Sequence, residues 1–353
     1  EMMKKDSNFK AIRNEGPTRL GHTILYDRLV NEVATHDICM IYHADMYLCP
    51  GALDQVENKL IDKTIVSLTR IEPPLHPPGP EKILLDFGIE PEEFDEAKLL
   101  RYIEDSKEDR NKTTEGIFAP WAFWKKDFQE IGGHDELFAP QSKEDTDIFN
   151  RFQLNGIKFI QTWEGCVYHM TCRGSRFADG AKRNPDGQVF MKNRETDEWL
   201  KQNQKSTREF IRKWGHYCLH DEYMKPIIPP KYDVGFVVKN SNEELIKAIE
   251  PWCGTMYVDN YRTQYINSEQ PFTSFNLSDK IKGYNDRKTN RSDNAILVEI
   301  DGNRFNQNEF NYIQNLSAII QDSGEIGHFE LGSLSIYIIN LTTYEKDLIK
   351  CKK

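Results

Sequence analysis

The chain has 353 residues, of which 38% are hydrophobic and 29% charged, and its net charge is −10. That length predicts one large domain plus a smaller one. Acidic and basic residues are interspersed, which argues against nucleic acid as the main partner, because phosphate binding needs a basic surface. No apolar run reaches the length of a transmembrane helix, and the first residues carry no signal-peptide core. Seven cysteines without a C-x-x-C pair read as reduced thiols of a cytoplasmic compartment, not as a disulfide frame or a zinc site.

Residues 1–20 are polar, and a helix is predicted from about Gly21 to Ala34, with Leu20, Ile24, Leu25, Leu29 and Val33 on one face. Ile38 to Tyr42 is a continuous apolar run, predicted as a buried strand of a mainly parallel sheet. It stops at His43-Ala44-Asp45. In an extended segment residues i and i+2 share a face, so His43 and Asp45 project together. They do so at a carboxyl edge, where open α/β sheets bind ligands. Both residues suit a divalent cation or its water shell; the competing reading is a solvated strand end. Pro50-Gly51 opens a helix carrying Leu53, Val56 and Leu60.

Ile65 to Leu68 is another strand, and it runs into a proline-rich loop at 72–80. Residues 81–110 read as an acidic surface insertion, helical from about Phe94 to Ile103. The aromatic run Gly116 to Trp124 places Phe118 and Phe123 in the core. Trp121 is either core as well or the floor of a pocket on which a sugar ring stacks. Lys125 to Ile131 is a short helix leading to Gly132-Gly133.

The stretch from Gly132 to Gly156 concentrates the chemistry. Glu144, Asp145 and Asp147 crowd the start of a helix whose apolar residues are Ile148, Phe149 and Phe152, and Gly156 ends it. One reading is capping: Ser142 and Asp145 form an S-x-x-D box, and acids there complement the helix dipole by roughly 0.3–1 kcal/mol each. The other is a reaction centre. Beyond it, Ile157 to Ile160 and Gly165 to His169 are strands, the second ending in His169. The following basic loop, with Arg173 and Arg176, is suited to close over phosphates, or is simply exposed. A polar stretch at 177–195 precedes a helix from Glu195 to Gly215.

Pro226 to Pro230 marks a boundary, giving domains 1–225 and 226–353. Beyond it the pattern reads strand (233–239), helix (242–249), strand (255–258), a polar stretch (260–293), strand (295–300), helix (307–321) and two strands (328–331 and 335–341). This order suggests a small α/β sandwich, for which a ferredoxin-like arrangement is one form. It contains no catalytic constellation. Acceptor binding, homo-oligomer formation and partner docking are all compatible with it, and the sequence does not decide among them.

The order of elements over residues 10–215 resembles the GT-A glycosyltransferases of the family-2 type, inverting enzymes that use nucleotide-sugars. The resemblance is carried by the strand ending at Asp45, by Phe128-x-x-Ile-Gly-Gly-x-Asp-Glu-x-Phe followed by Glu144-Asp145-x-Asp147, by a strand ending in His169, and by the closing run 210–215. It implies a Rossmann-like α/β fold, a nucleotide-sugar donor, a glycan or other hydroxyl acceptor, and Mn²⁺ or Mg²⁺. Asp45 matches the last Asp of the family's D-x-D motif, which holds the metal, and His169 resembles the late histidine that completes its coordination. His43 replaces the first Asp and is assigned to the nucleotide or metal-bound water. Asp145, with Glu144 beside it, matches the general base. Asn14 and Arg19 resemble donor-binding positions, and Arg173 and Trp121 are further candidates for the donor. Family members open with strands that grip the base and ribose, and none precedes residue 10; the preferred reading is a chain that begins inside the domain. Competing readings are a non-catalytic glycan- or nucleotide-binding module and, ranked last, a glycoside hydrolase.

Overall fold

The computed structural model describes residues 9–16, 20–75, 77–170, 182–183, 185–186, 189–190, 195–287 and 294–351. The chain forms two compact units. One comprises residues 1–203, 219–227 and 350–353, and the other 204–218 and 228–349. Both are α/β, and their sheets mix parallel with antiparallel pairs.

The first unit begins with helix α1 (Gly21–Arg28), which continues as a π-helical turn to Val33. Strand β1 (Ile38–Ile41), strand β2 (Met46–Leu48), helix α2 (Ala52–Lys59) and strand β3 (Thr64–Glu72) follow. After the short β4 (Ile83–Leu84) come helix α3 (Glu96–Asp105) and β5 (Thr113–Thr114). Asp95 caps α3 by accepting from the Lys98 N–H, the usual role of an N-cap carboxylate. Next are β6 (Trp121–Trp124), α4 (Lys125–Glu130), α5 (Glu144–Leu154) and β7 (Lys158–His169).

The sheet order is β1-β6-β3-β7-β2, with β4 beside β3 and β5 beside β7. Only β3–β7 and β3–β4 are parallel; β1–β6, β3–β6, β2–β7 and β5–β7 are antiparallel. The expectation of a mainly parallel sheet with β1 buried inside it is therefore corrected for this unit. Strand β1 lies at one end of the sheet, and Ile38 at its start is exposed. Apolar content alone does not distinguish an edge strand with one covered face from a central one.

Residues 157–169, read as two strands, form one. Its pairing with β3 jumps from Leu68↔Thr162 to Thr69↔Cys166, so Trp163, Glu164 and Gly165 make a bulge rather than a turn. The double glycine is explained by backbone conformation. Gly132 and Gly133 have φ of 83° and 71°, and a Cβ on Gly133 would lie 2.3 Å from an Asp27 carboxylate oxygen. That carboxylate is needed there, because it accepts from both the backbone N–H and ring Nδ1 of His134.

Helix α6 (Asp197–Trp214) runs through the division between the units. The second unit contains β10 (Val234–Lys239), β11 (Thr255–Val258), β12 (Ile281–Gly283), β13 (Ile296–Asp301), β14 (Gly327–Leu331) and β15 (Leu334–Ile338). Two-residue strands β8 (Lys182–Arg183) and β9 (Val189–Phe190) precede them and pair with each other. The order β12-β11-β10-β13-β15-β14 is parallel through its first four strands. This is a doubly wound half with its strand order reversing between β10 and β13. It replaces the ferredoxin-like expectation, which missed β12 and the helices Arg262–Glu269 and Leu277–Lys280 inside the polar stretch.

Candidate metal and acid-base site

Three side chains from two places in the sequence meet at one end of the first sheet. The chain leaves β1 through Tyr42, turns at Ala44-Asp45 and enters β2, so His43 and Asp45 sit on a turn rather than on an extended segment. Strand β2 pairs antiparallel with β7, Met46 opposite His169, and the Met170 N–H donates to the Asp45 carbonyl at 2.9 Å. This register carries His169 to the turn. One ligand atom each from His43, Asp45 and His169 lie within 4.8 Å of one another, and His169 Nε2 is 3.5 Å from Asp45 Oδ2. The nearness of His43 to Asp45 was expected from their spacing and that of His169 to Asp45 from the resemblance; the turn that brings them together was not.

Glu72, at the end of β3, was missed. Its carboxylate is completely buried and lies 3.2 Å from His169 Nδ1. An Nδ1–H donated to that carboxylate leaves Nε2 as the lone-pair nitrogen facing Asp45, the usual arrangement of a metal-binding histidine. Lys82 Nζ, 2.9 Å from the other Glu72 oxygen, balances the buried charge. Burial would raise the Glu72 pKa, but His169, Arg70 and Lys82 outweigh it and hold it at about 2. Burial likewise opposes a charged His169, and Asp45 and Glu72 together raise its pKa above the ordinary value. Burial lowers that of His43. Burial also acts against ionised Asp45, yet the His169 hydrogen bond leaves its pKa lowered. A detectable signal was Arg70-x-Glu72, two charges closing an otherwise uncharged strand.

A cavity of about 270 Å³ opens beside the cluster, lined by His43, His169, Arg70, Phe118, Asp145 and Thr146 among others. Asp145 thus shares one concave space with two of the three clustered groups. It is exposed at the cavity wall, yet sits deep enough among neighbouring groups to lose hydration. That burial, with the negative charge of Glu144 next to it, pushes the Asp145 carboxyl up to about 6. Glu144 itself is buried and 3.6 Å from His22 Nδ1. Asp147 takes no part: it is sealed in an ion pair with Arg151 at 2.8 Å.

The capping box does not form. Ser142 and Lys143 have φ of 80° and 73°, left-handed values that cost roughly 1–2 kcal/mol per residue. Ser142 turns its hydroxyl to Asn203, at 2.7 Å, and no side chain caps α5. The three acids are therefore not explained as a cap.

Trp121 is corrected from a pocket floor to core. It is fully buried, with its ring against Phe123, Phe149 and Phe152 at 4.6, 5.4 and 5.9 Å. Phe118 is buried as expected, 6% exposed, and also borders the cavity. Asn14 is half-buried in the segment before α1 and does not line the cavity. Arg19, Arg173 and Arg176 lie outside the described residues. No disulfide joins the six described cysteines to one another, and among the described residues no helix is long and apolar enough to cross a membrane.

Comparison with protein-family models and with curated proteins gives no match. Among solved structures, a crystal structure of GalNAc-T7 with UDP, GalNAc and Mn²⁺ is similar at a TM-score of 0.33 and 12% identity. The likeness covers 60% of this chain and 37% of that one. At this level it carries no argument about function, which rests on the site itself.

Proposed function

We propose that the first unit is a metal-dependent inverting glycosyltransferase that moves a sugar from a nucleotide-sugar to a hydroxyl acceptor. One observation carries the reading: Asp145, His43 and His169 line a single cavity, with Asp45 clustered on the two histidines. The donors fit a divalent cation. They comprise two imidazoles and a carboxylate, and the far nitrogen of His169 is already engaged by Glu72. Imidazole donors favour Mn²⁺ over Mg²⁺. When bound, such an ion neutralises charge growing on a leaving diphosphate.

Asp145 is the general base. Its carboxylate accepts the proton of the acceptor O–H as that oxygen bonds to the anomeric carbon. The bond from that carbon to the diphosphate breaks, and its electron pair leaves with the diphosphate. With a pKa of about 6, Asp145 is ionised at neutral pH yet more basic than a free carboxylate, the balance general-base catalysis needs. Glu144 raises that basicity through its adjacent charge. Transfer or hydrolysis of nucleotide-sugars with Mn²⁺ should vanish in Asp145→Asn and Asp45→Ala; wild-type turnover in both refutes the reading.

A second reading follows from the donor set alone, because two histidines and one carboxylate also hold the iron of non-haem oxygenases. Anaerobic titration separates the two. Tight Fe²⁺ binding with oxygen consumption, and no response to any nucleotide-sugar, favours the second.

A further inference from the structure

Arg70 stands near the end of β3 with its guanidinium carbon 4.3 Å from the centroid of the Phe118 ring. Its side chain is 17% exposed. Its Nε is buried without a hydrogen-bond partner. The nearest ion pair is with Glu72, whose Oε2 is 4.0 Å from Nη1, beyond hydrogen-bonding range. Glu72 is in any case engaged by Lys82 and His169. The guanidinium therefore has planar support from Phe118, a fixed position and unspent donors. Among the described residues lining the cavity, Arg70 is the only lysine or arginine.

A buried donor left unsatisfied is costly, and a rigid guanidinium fork matches carboxylate and phosphate oxygens two at a time. We infer that the cavity binds a ligand bearing an oxyanion, gripped by Arg70 on its Phe118 platform. The inference rests on the proposed function only in naming a sugar ligand, and it narrows that ligand to one with an acidic group. Two sources share this chemistry: the carboxylate of an acidic sugar and the phosphate of the nucleotide.

The test uses the full chain in EDTA at fixed ionic strength, so that metal contributes nothing. Calorimetry with methyl β-glucuronide, methyl β-glucoside and inorganic pyrophosphate compares wild type with Arg70→Gln. One or both anions should bind wild type about tenfold more tightly than the neutral glucoside, and Arg70→Gln should erase the difference. Loss for the glucuronide assigns the sugar carboxylate, and loss for pyrophosphate assigns the nucleotide phosphate. Anion binding unchanged in Arg70→Gln, or no preference for either anion in wild type, overturns the inference. Should Arg70→Gln fail to fold, Arg70→Lys keeps the charge without the planar fork and should bind the anion several-fold more weakly; wild-type affinity there also overturns it. Arg70-dependent anion binding in a protein that transfers no sugar would leave this inference standing and remove the glycosyltransferase reading.

Discussion

Replacing Glu72 with glutamine removes one negative charge and keeps the side chain's shape. The carboxylate is fully buried, 3.2 Å from His169 Nδ1 and 2.9 Å from Lys82. Removing a group that orients a ligand histidine costs about 10–100-fold in metal affinity, or about 1.4–2.7 kcal/mol. Glutamine still offers an oxygen to the His169 N–H, so Glu72→Gln belongs near the lower bound, about tenfold. Glu72→Ala removes the acceptor as well and leaves Lys82, whose side chain is 5% exposed, only its 3.7 Å pair with Glu81, at a further cost near the lower end of about 3–5 kcal/mol in stability. Mn²⁺ titration by calorimetry, with the thermal midpoint read in parallel, separates the two effects. A folded Glu72→Gln protein that binds Mn²⁺ as tightly as wild type refutes the claim that Glu72 sets the histidine. Glu72 has a folded pKa of about 2, below its ordinary value. Its contribution to stability is therefore complete above the unfolded pKa and is lost as pH falls toward about 2.

Asp145→Asn should abolish transfer while leaving Mn²⁺ affinity unchanged; a shifted Mn²⁺ affinity would place Asp145 among the ligands instead. In wild type, kcat/KM should rise with pH through about 6 as Asp145 ionises, and a profile flat from pH 5 to 8 would exclude it as the base. Because folding raises this pKa, Asp145 contributes stability at low pH that is lost as pH rises from about 4 to about 6, so activity is gained where that contribution fades. In the second unit Glu250 is fully buried and bonded to Arg212 and Lys280, each at 2.6 Å. Glu250→Gln should cost about 3–5 kcal/mol in urea unfolding of that unit. Gly133→Ala should destabilise by more than about 1 kcal/mol, since it combines left-handed backbone with a clash on Asp27; an unchanged thermal midpoint would refute both the strain and the clash.

Local pattern reached as far as local forces do. Helix α5 was legible because Ile148, Phe149 and Phe152 repeat at helical spacing and Gly156 closes it with φ of 80°. The edge position of β1 was not, because strand neighbours are chosen by distant residues: Ile38 to Ile41 pair with Trp121 to Trp124. The convergence of Asp45 and His169 was anticipated only through resemblance. The nearness of His43 to Asp45 was read from their spacing, although it arises on a turn and not on a strand; the part played by Glu72 depended on burial, which spacing does not reveal. Trp121 could be read as core or as pocket floor because an aromatic cluster does not reveal which of its rings face a cavity; it is core, as are Phe118 and Phe123. In the second unit, short elements such as Leu277–Lys280 and Ile281–Gly283 carry too few apolar residues for any periodicity.

The bulge at Trp163 to Gly165 fixes which side of the sheet His169 occupies. Side chains alternate along a strand, so deleting or inserting one residue between Thr162 and His169 would send the imidazole to the opposite face. Glu72 would then point at an empty position, and Asp45 would lose its partner. Counting governs this stretch as strictly as chemistry does: a change of length by one residue undoes what its buried side chains hold in place.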